Sequence, residues 1–167
     1  LIAAMNPCPC GYFHHPEKPC TCKPYQVDRY LHRISGPLLD RIDMHLEVFP
    51  LKYPAMFTKE ASEASSTIRD RVIQARNIQK ARFMEQALRT NAEMNAVQVK
   101  AVCHLDAGSS RLLQSAIEKL QLSARAHDRI LKMARTIADL AQAKDIEAKH
   151  VAEAINYRNL DRENWAG

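Results

Sequence analysis

Four cysteines stand in two tight pairs, Cys8-x-Cys10 and Cys20-x-Cys22, with nine residues between the pairs. Two thiols from each pair can converge on one point, and four thiolates around a point form a tetrahedral Zn²⁺ site with no open position. Such a site would be structural, tying down a proline-rich loop that has no core of its own. The plainer alternative is a set of four reduced thiols. No stretch resembles a signal peptide, and in the expected cytoplasmic setting disulfides are rare. His14 and His15 fall between the pairs. Cys103 lies in a helical apolar pattern and reads as a core residue.

The second set of chemically interesting residues is cationic. Arg41 lies in Ile34-Ser-Gly-Pro-Leu-Leu-Asp-Arg-Ile-Asp43, after a short apolar turn and before an apolar run. An arginine on such a corner suits a partner's phosphate, and a salt bridge to Asp40 or Asp43 is the bland alternative. Arg125, Arg129 and Lys132 share one face of a helical segment at i, i+4, i+7. Arg125, in the first turn, either reaches a phosphate or belongs to a solvated basic face. Asn6 ends an apolar run and can orient a water or phosphate oxygen, or merely begin the turn at Pro7. No Gly-x-x-x-x-Gly-Lys-Ser/Thr loop occurs in the 167 residues, so a phosphate cradle has to come from elsewhere.

These side chains need elements to hold them. Residues 1–5 read as a buried strand, and residues 42–49 as a second, with Ile42, Met44, Leu46 and Val48 on one side. Two strands are not a stable sheet, so the remaining strands are expected upstream. Residues 7–24 hold five prolines, four cysteines and Gly11 and read as a loop. A short helix is expected over 25–33 and a connector over 50–58. A charged helix follows over 60–88, with apolar positions that drift around it. Further helices are expected over 92–104, 109–120, 124–141 and 146–158, with Asp106, Ser109, Ser123 and Asp145 as N-cap candidates. Their apolar stripes are Leu112, Leu113, Ala116, Ile117 and Leu120; Ile130, Ala134, Ile137, Ala138 and Ala141; and Ala148, Val151, Ala152 and Ile155.

Composition sets the bounds. Twenty-four basic against nineteen acidic residues give a net charge of +5, a weak bias toward polyanions. Arg69, Arg76 and Lys80 share one face of the connecting helix, and Arg71, Arg82 and Arg89 another. Acidic residues are interspersed and aromatic platforms are missing, so these faces do not define a DNA site. No apolar run approaches the ~18 residues of a membrane span, and no membrane partner is expected.

Three motifs in order carry a resemblance. Leu1-Ile-Ala-Ala-Met-Asn-Pro-Cys-Pro-Cys-Gly11, the arginine stretch 34–43, and Leu122-Ser-Ala-Arg-Ala-His-Asp-Arg-Ile-Leu-Lys-Met-Ala-Arg-Thr-Ile-Ala-Asp-Leu140 closely resemble the magnesium-chelatase-like AAA+ ATPases of the YifB/ComM group. The closing Ala154-Ile-Asn-Tyr-Arg158 extends the likeness. It implies a mainly α chain: the end of an AAA+ α/β core with two strands and a Cys-rich loop (1–58), a connecting helix (59–90), and an α-helical lid bundle (91–167). It implies that Asn6 is the sensor 1 residue, Arg41 an arginine finger acting on the neighbouring subunit's ATP, and Arg125 the sensor 2 arginine of its own subunit. ATP and Mg²⁺ would then bind mainly through Walker motifs upstream, in a homo-oligomeric ring, expected to be hexameric, that migrates branched DNA in natural transformation. The fragment alone is expected to be inactive. A magnesium-chelatase motor subunit and a non-enzymatic, zinc-stabilised interaction module are the two rival readings.

Overall fold

The structure, a computed structural model, describes residues 1–48 and 62–158. The connector 50–58, the start of the connecting helix and Phe49 lie outside the described residues. Among the described residues seven α-helices follow in order: α1 Pro24–Leu31, α2 Gly36–Leu39, α3 Ser65–Arg82, α4 Ala96–Val102, α5 Ala107–Leu120, α6 Ala124–Leu140 and α7 Ala148–Asn156. None of them is long and apolar enough to cross a membrane.

Each boundary has a local cause. Pro24 occupies the first turn of α1, where its missing N–H costs nothing. The side chain of Gln26 accepts a hydrogen bond from the Lys23 amide at 2.8 Å, closing that end. Asn95 and Gln98 cap α4 reciprocally, at 2.8 and 3.0 Å. Asp106 accepts from the Ser109 amide at 2.6 Å, and Ser123 from Ala126 at 3.1 Å. Caps of this kind contribute about 1 kcal/mol each. The Ser109 amide also holds the Asp106 carboxyl below its ordinary range.

The expected helix 92–104 is broken. A 3₁₀ turn, Asn91–Glu93, precedes α4, because Asn95 takes a capping rather than an interior role. Helix α5 starts two residues early, with Ser109 inside it and Asp106 as its cap. Glu147, not Asp145, precedes α7.

The core sits where α6 crosses its neighbours. Ile130, Ala134, Ile137 and Ala138 of α6 pack with Val99, Leu113, Val151 and Ala154, closed by Phe83 and Met94. The α6 stripe follows the sequence expectation except at Ala141, which is exposed. On α5 only Leu113 of the expected stripe is fully buried, while Leu112 is 37% exposed. On α7 the stripe rotates to His150, Val151 and Ala154, leaving Ala148 exposed. Cys103 is buried in this core, which pushes its thiol up to about 11.

A buried polar knot fastens α3 to α6. Asp139, wholly buried, accepts from Arg82 at 2.5 and 2.8 Å, from Asn91 at 2.8 Å and from Arg135 at 3.1 Å. Arg135 spends its other donors on the carbonyls of Ala143 and Lys144, at 2.7 and 2.9 Å. Burial opposes ionisation of Asp139, but the Arg82 and Asn91 hydrogen bonds hold its carboxyl below the usual range.

The two expected strands do not form among the described residues. Leu1 and Ile2 are fully exposed, and no ladder partner lies beside residues 1–5. The run 42–48 does not alternate in burial: His45 is buried and Ile42 half-buried, while Asp43, Met44, Leu46, Glu47 and Val48 are exposed. Its backbone is bonded elsewhere, the His45 amide donating to the Tyr157 carbonyl at 2.7 Å. A strand needs neighbours to satisfy its backbone groups. The one β-type pairing among the described residues is a parallel bridge between Leu105 and Ile146.

Candidate metal centre and phosphate-facing arginines

The cysteine loop closes on itself. Gly11, at φ +82°, makes the left-handed turn that follows the first pair, and its amide donates to the Cys8 carbonyl at 3.0 Å. The four sulfurs of Cys8, Cys10, Cys20 and Cys22 then lie within 4.8 Å of one another. Three separations are 3.4, 3.5 and 3.7 Å. A tetrahedral zinc with Zn–S of about 2.3 Å places its sulfurs about 3.8 Å apart, so the spacing matches that ligand set. It is far from the roughly 2.05 Å of a disulfide, and all four cysteines are free. His14 and His15 stay outside the cluster; the His15 ring instead accepts from the Glu17 and Lys18 amides at 3.1 Å.

The electrostatics also suit a cation. The Phe13 amide donates to the Cys8 sulfur at 3.3 Å. The Tyr12 amide, with that of Thr21, stabilises the Cys10 thiolate and lowers its pKa to about 5. For Cys20 the Cys22 amide favours the thiolate, but burial and the adjoining Cys10 and Cys8 sulfurs outweigh it and push the pKa up to about 12. Burial raises Cys22 as well. One negative charge therefore blocks the next, a conflict that a bound dication reverses. Support for the loop comes from one side of α1: Val27 and Leu31 pack on Cys8 in a small cluster separate from the main core.

The arginine stretch is organised differently. Helix α2 presents Arg41 just past its end, with the Arg41 amide bonded to the Leu38 carbonyl at 3.0 Å. The Arg41 side chain is exposed, donates to the Pro37 carbonyl at 2.6 Å, and makes no ion pair among the described residues. Its acidic neighbours are taken by others. Asp40 accepts from the Ser123 hydroxyl at 2.8 Å, and Asp43 pairs with Arg129. On the basic face of α6, Lys132 donates to the Ala92 carbonyl at 3.0 Å. Arg125 is left exposed, with no ion pair or side-chain hydrogen bond among the described residues. The two arginines thus stand within two residues of opposite ends of the Ser123–Asp40 bond. Asn6 is exposed and no hydrogen bond links it to either arginine.

Residues 1–56 match the family model for magnesium chelatase, subunit ChlI, and residues 62–158 the model for its C-terminal part. The chain belongs to the magnesium-chelatase-like family. Within it the similarity is to the YifB/ComM group. The chain is 42% identical to the uncharacterized protein YifB of Salmonella typhimurium over 164 residues. It is 41% identical to the competence protein ComM of Haemophilus influenzae over 163 residues. Both alignments cover 97% of this chain and 31% of the relative, so the chain spans about a third of their length. In this YifB/ComM-like member the paired thiols are drawn into one cluster.

Sequence reasoning missed the frame around Arg41. Ser123 caps α6 as its position suggests, and its hydroxyl also serves Asp40. Arg129 was grouped with a solvated face but pairs with Asp43. Arg158, 1% exposed, reaches the carbonyls of Ile42 and Asp40, the latter at 3.3 Å. A lone arginine closing an apolar helix was the available signal, since a buried guanidinium must find acceptors.

Proposed function

We propose that this chain is the C-terminal part of a ComM-like AAA+ ATPase whose intact ring couples ATP hydrolysis to migration of branched DNA in natural transformation. The observation that carries the reading is Arg41: its acidic neighbours are engaged by Ser123 and Arg129, and its own guanidinium is exposed. That is the disposition an arginine finger needs to meet a neighbouring subunit's ATP. Arg125 serves as the sensor 2 arginine and Asn6 as the sensor that places the attacking water. In this reading ATP and Mg²⁺ are held mainly by parts of the intact protein outside these residues, as fits a chain that spans about a third of its relatives' length.

In this reading Arg125 serves the nucleotide of its own subunit and Arg41 that of the neighbour. Rings mixed from Arg125→Ala subunits and phosphate-loop variants test this: turnover stays lost if Arg125 works in its own subunit, and its return would refute that role. The cysteine cluster holds a structural Zn²⁺ that shapes the loop between sensor and finger. The magnesium-chelatase family match keeps a tetrapyrrole-chelatase motor as the rival. ATP turnover of the full-length protein with and without four-way DNA junctions decides: stimulation by the junction supports the helicase reading, and indifference to it refutes that reading.

A further inference from the structure

We propose that Arg158 is a positioning residue for Arg41, gripping the chain on either side of it so that the exposed guanidinium is aimed by the helical bundle. This rests on the reading of Arg41 as a phosphate-reaching arginine.

Arg158 follows the end of α7 and is almost wholly buried. One terminal nitrogen donates to the Ile42 carbonyl. The other lies 3.3 Å from the Asp40 carbonyl and 3.6 Å from its carboxylate. Those carbonyls belong to the residues immediately before and after Arg41. A guanidinium is a planar fork of fixed donors, so two acceptors held by one fork are fixed relative to each other. A buried guanidinium also exchanges its acceptors at a high cost in desolvation, which favours a fixed grip.

Further bonds tie the same segment to the bundle. The His45 amide donates to the Tyr157 carbonyl at 2.7 Å, beside Arg158. Within the segment itself, the His45 ring lies 3.2 Å from the Leu39 carbonyl. On the α6 side, Ser123 holds Asp40 and Arg129 holds Asp43. Residues 39–45 are therefore attached at both edges to α6 and α7, while the Arg41 side chain extends from the middle, exposed. Backbone clamped, side chain exposed: a displacement of about 1 Å at such a group can cost about a hundredfold in rate.

A purely structural role would weaken the bundle that carries Arg158 and harm that subunit's own nucleotide site. A positioning role harms the neighbour's site instead. The test uses the full-length protein as three variants: Arg158→Met, Arg41→Ala, and a phosphate-loop lysine variant that retains its fingers but lacks a working site. Arg158→Met is expected to lower ATP turnover about a hundredfold with nucleotide affinity unchanged. Mixing with the phosphate-loop variant is expected to restore turnover, as it does for Arg41→Ala. If Arg41→Ala is restored and Arg158→Met is not, the positioning role is overturned. If Arg41→Ala itself is not restored, the finger reading fails first. Where Arg158→Met does not assemble, Arg158→Lys carries the test, because it keeps the charge and loses the fork. Its expected pattern is the same at about a tenfold loss, and wild-type turnover in that variant would overturn the proposal.

Discussion

Stripping the proposed zinc from the cysteine loop should unfold that loop and leave the helical bundle standing. Val27 and Leu31 are the loop's principal apolar anchors, and burying them contributes about 2 kcal/mol each. A zinc held by four thiolates contributes about 10 kcal/mol or more to a small site, several times as much. The main core, centred on Ile130, Ala134 and Val151, shares no residue with the loop's cluster. The perturbation is a strong chelator, or Cys20→Ser combined with Cys22→Ser. Elemental analysis of the purified protein should find one zinc per set of four thiolates, and the double variant should hold none. Amide exchange read residue by residue should then show protection lost over 8–31 and kept in α5–α7. Cobalt substitution should give the absorption of a tetrahedral thiolate complex. Metal-free protein with the loop still protected, or zinc retained by the double variant, would refute the reasoning.

Asp139→Asn should be the most damaging single change in the bundle, costing about 3–5 kcal/mol in a urea melt, because it strands the buried guanidinium of Arg135 beside that of Arg82. Acid should act through the same group. The Asp139 carboxyl is depressed below its ordinary 3.8, so the unfolded chain binds its proton first. Its stabilisation is complete above that value and is lost as pH falls through the lower folded value. His150 adds an earlier step of the same sign. Burial holds its pKa below 6.5, so protonation favours the unfolded chain and stability should begin to decline as pH falls past that point. A His150→Gln variant should lack that first decline in a pH series of thermal melts.

The sequence was legible where one periodicity or one spacing carried the information. The α6 stripe and the convergence of two Cys-x-Cys pairs are both short-range patterns, and both appear, the stripe as far as Ala138. The caps Asp106 and Ser123 were legible for the same reason. What failed depended on distant partners. Residues 42–48 alternate like a strand, yet Tyr157 and Arg158 take their backbone groups more than a hundred residues away. Asn91, at the 3₁₀ turn before α4, joins the Asp139 knot, a bond across 48 positions that no local propensity encodes. The frame of Arg41 was invisible for the same cause: Asp40 and Ser123 look like a helix end and a helix start until they meet.

The most direct measurement of the central claim is ATP turnover and ATP affinity of the full-length protein carrying Arg41→Ala. A finger contributes about a thousandfold or more to turnover and little to ground-state binding. The expected result is turnover lost by that order, nucleotide affinity unchanged, and activity regained in rings mixed with a phosphate-loop variant. Turnover near wild type in the homogeneous Arg41→Ala ring would contradict it.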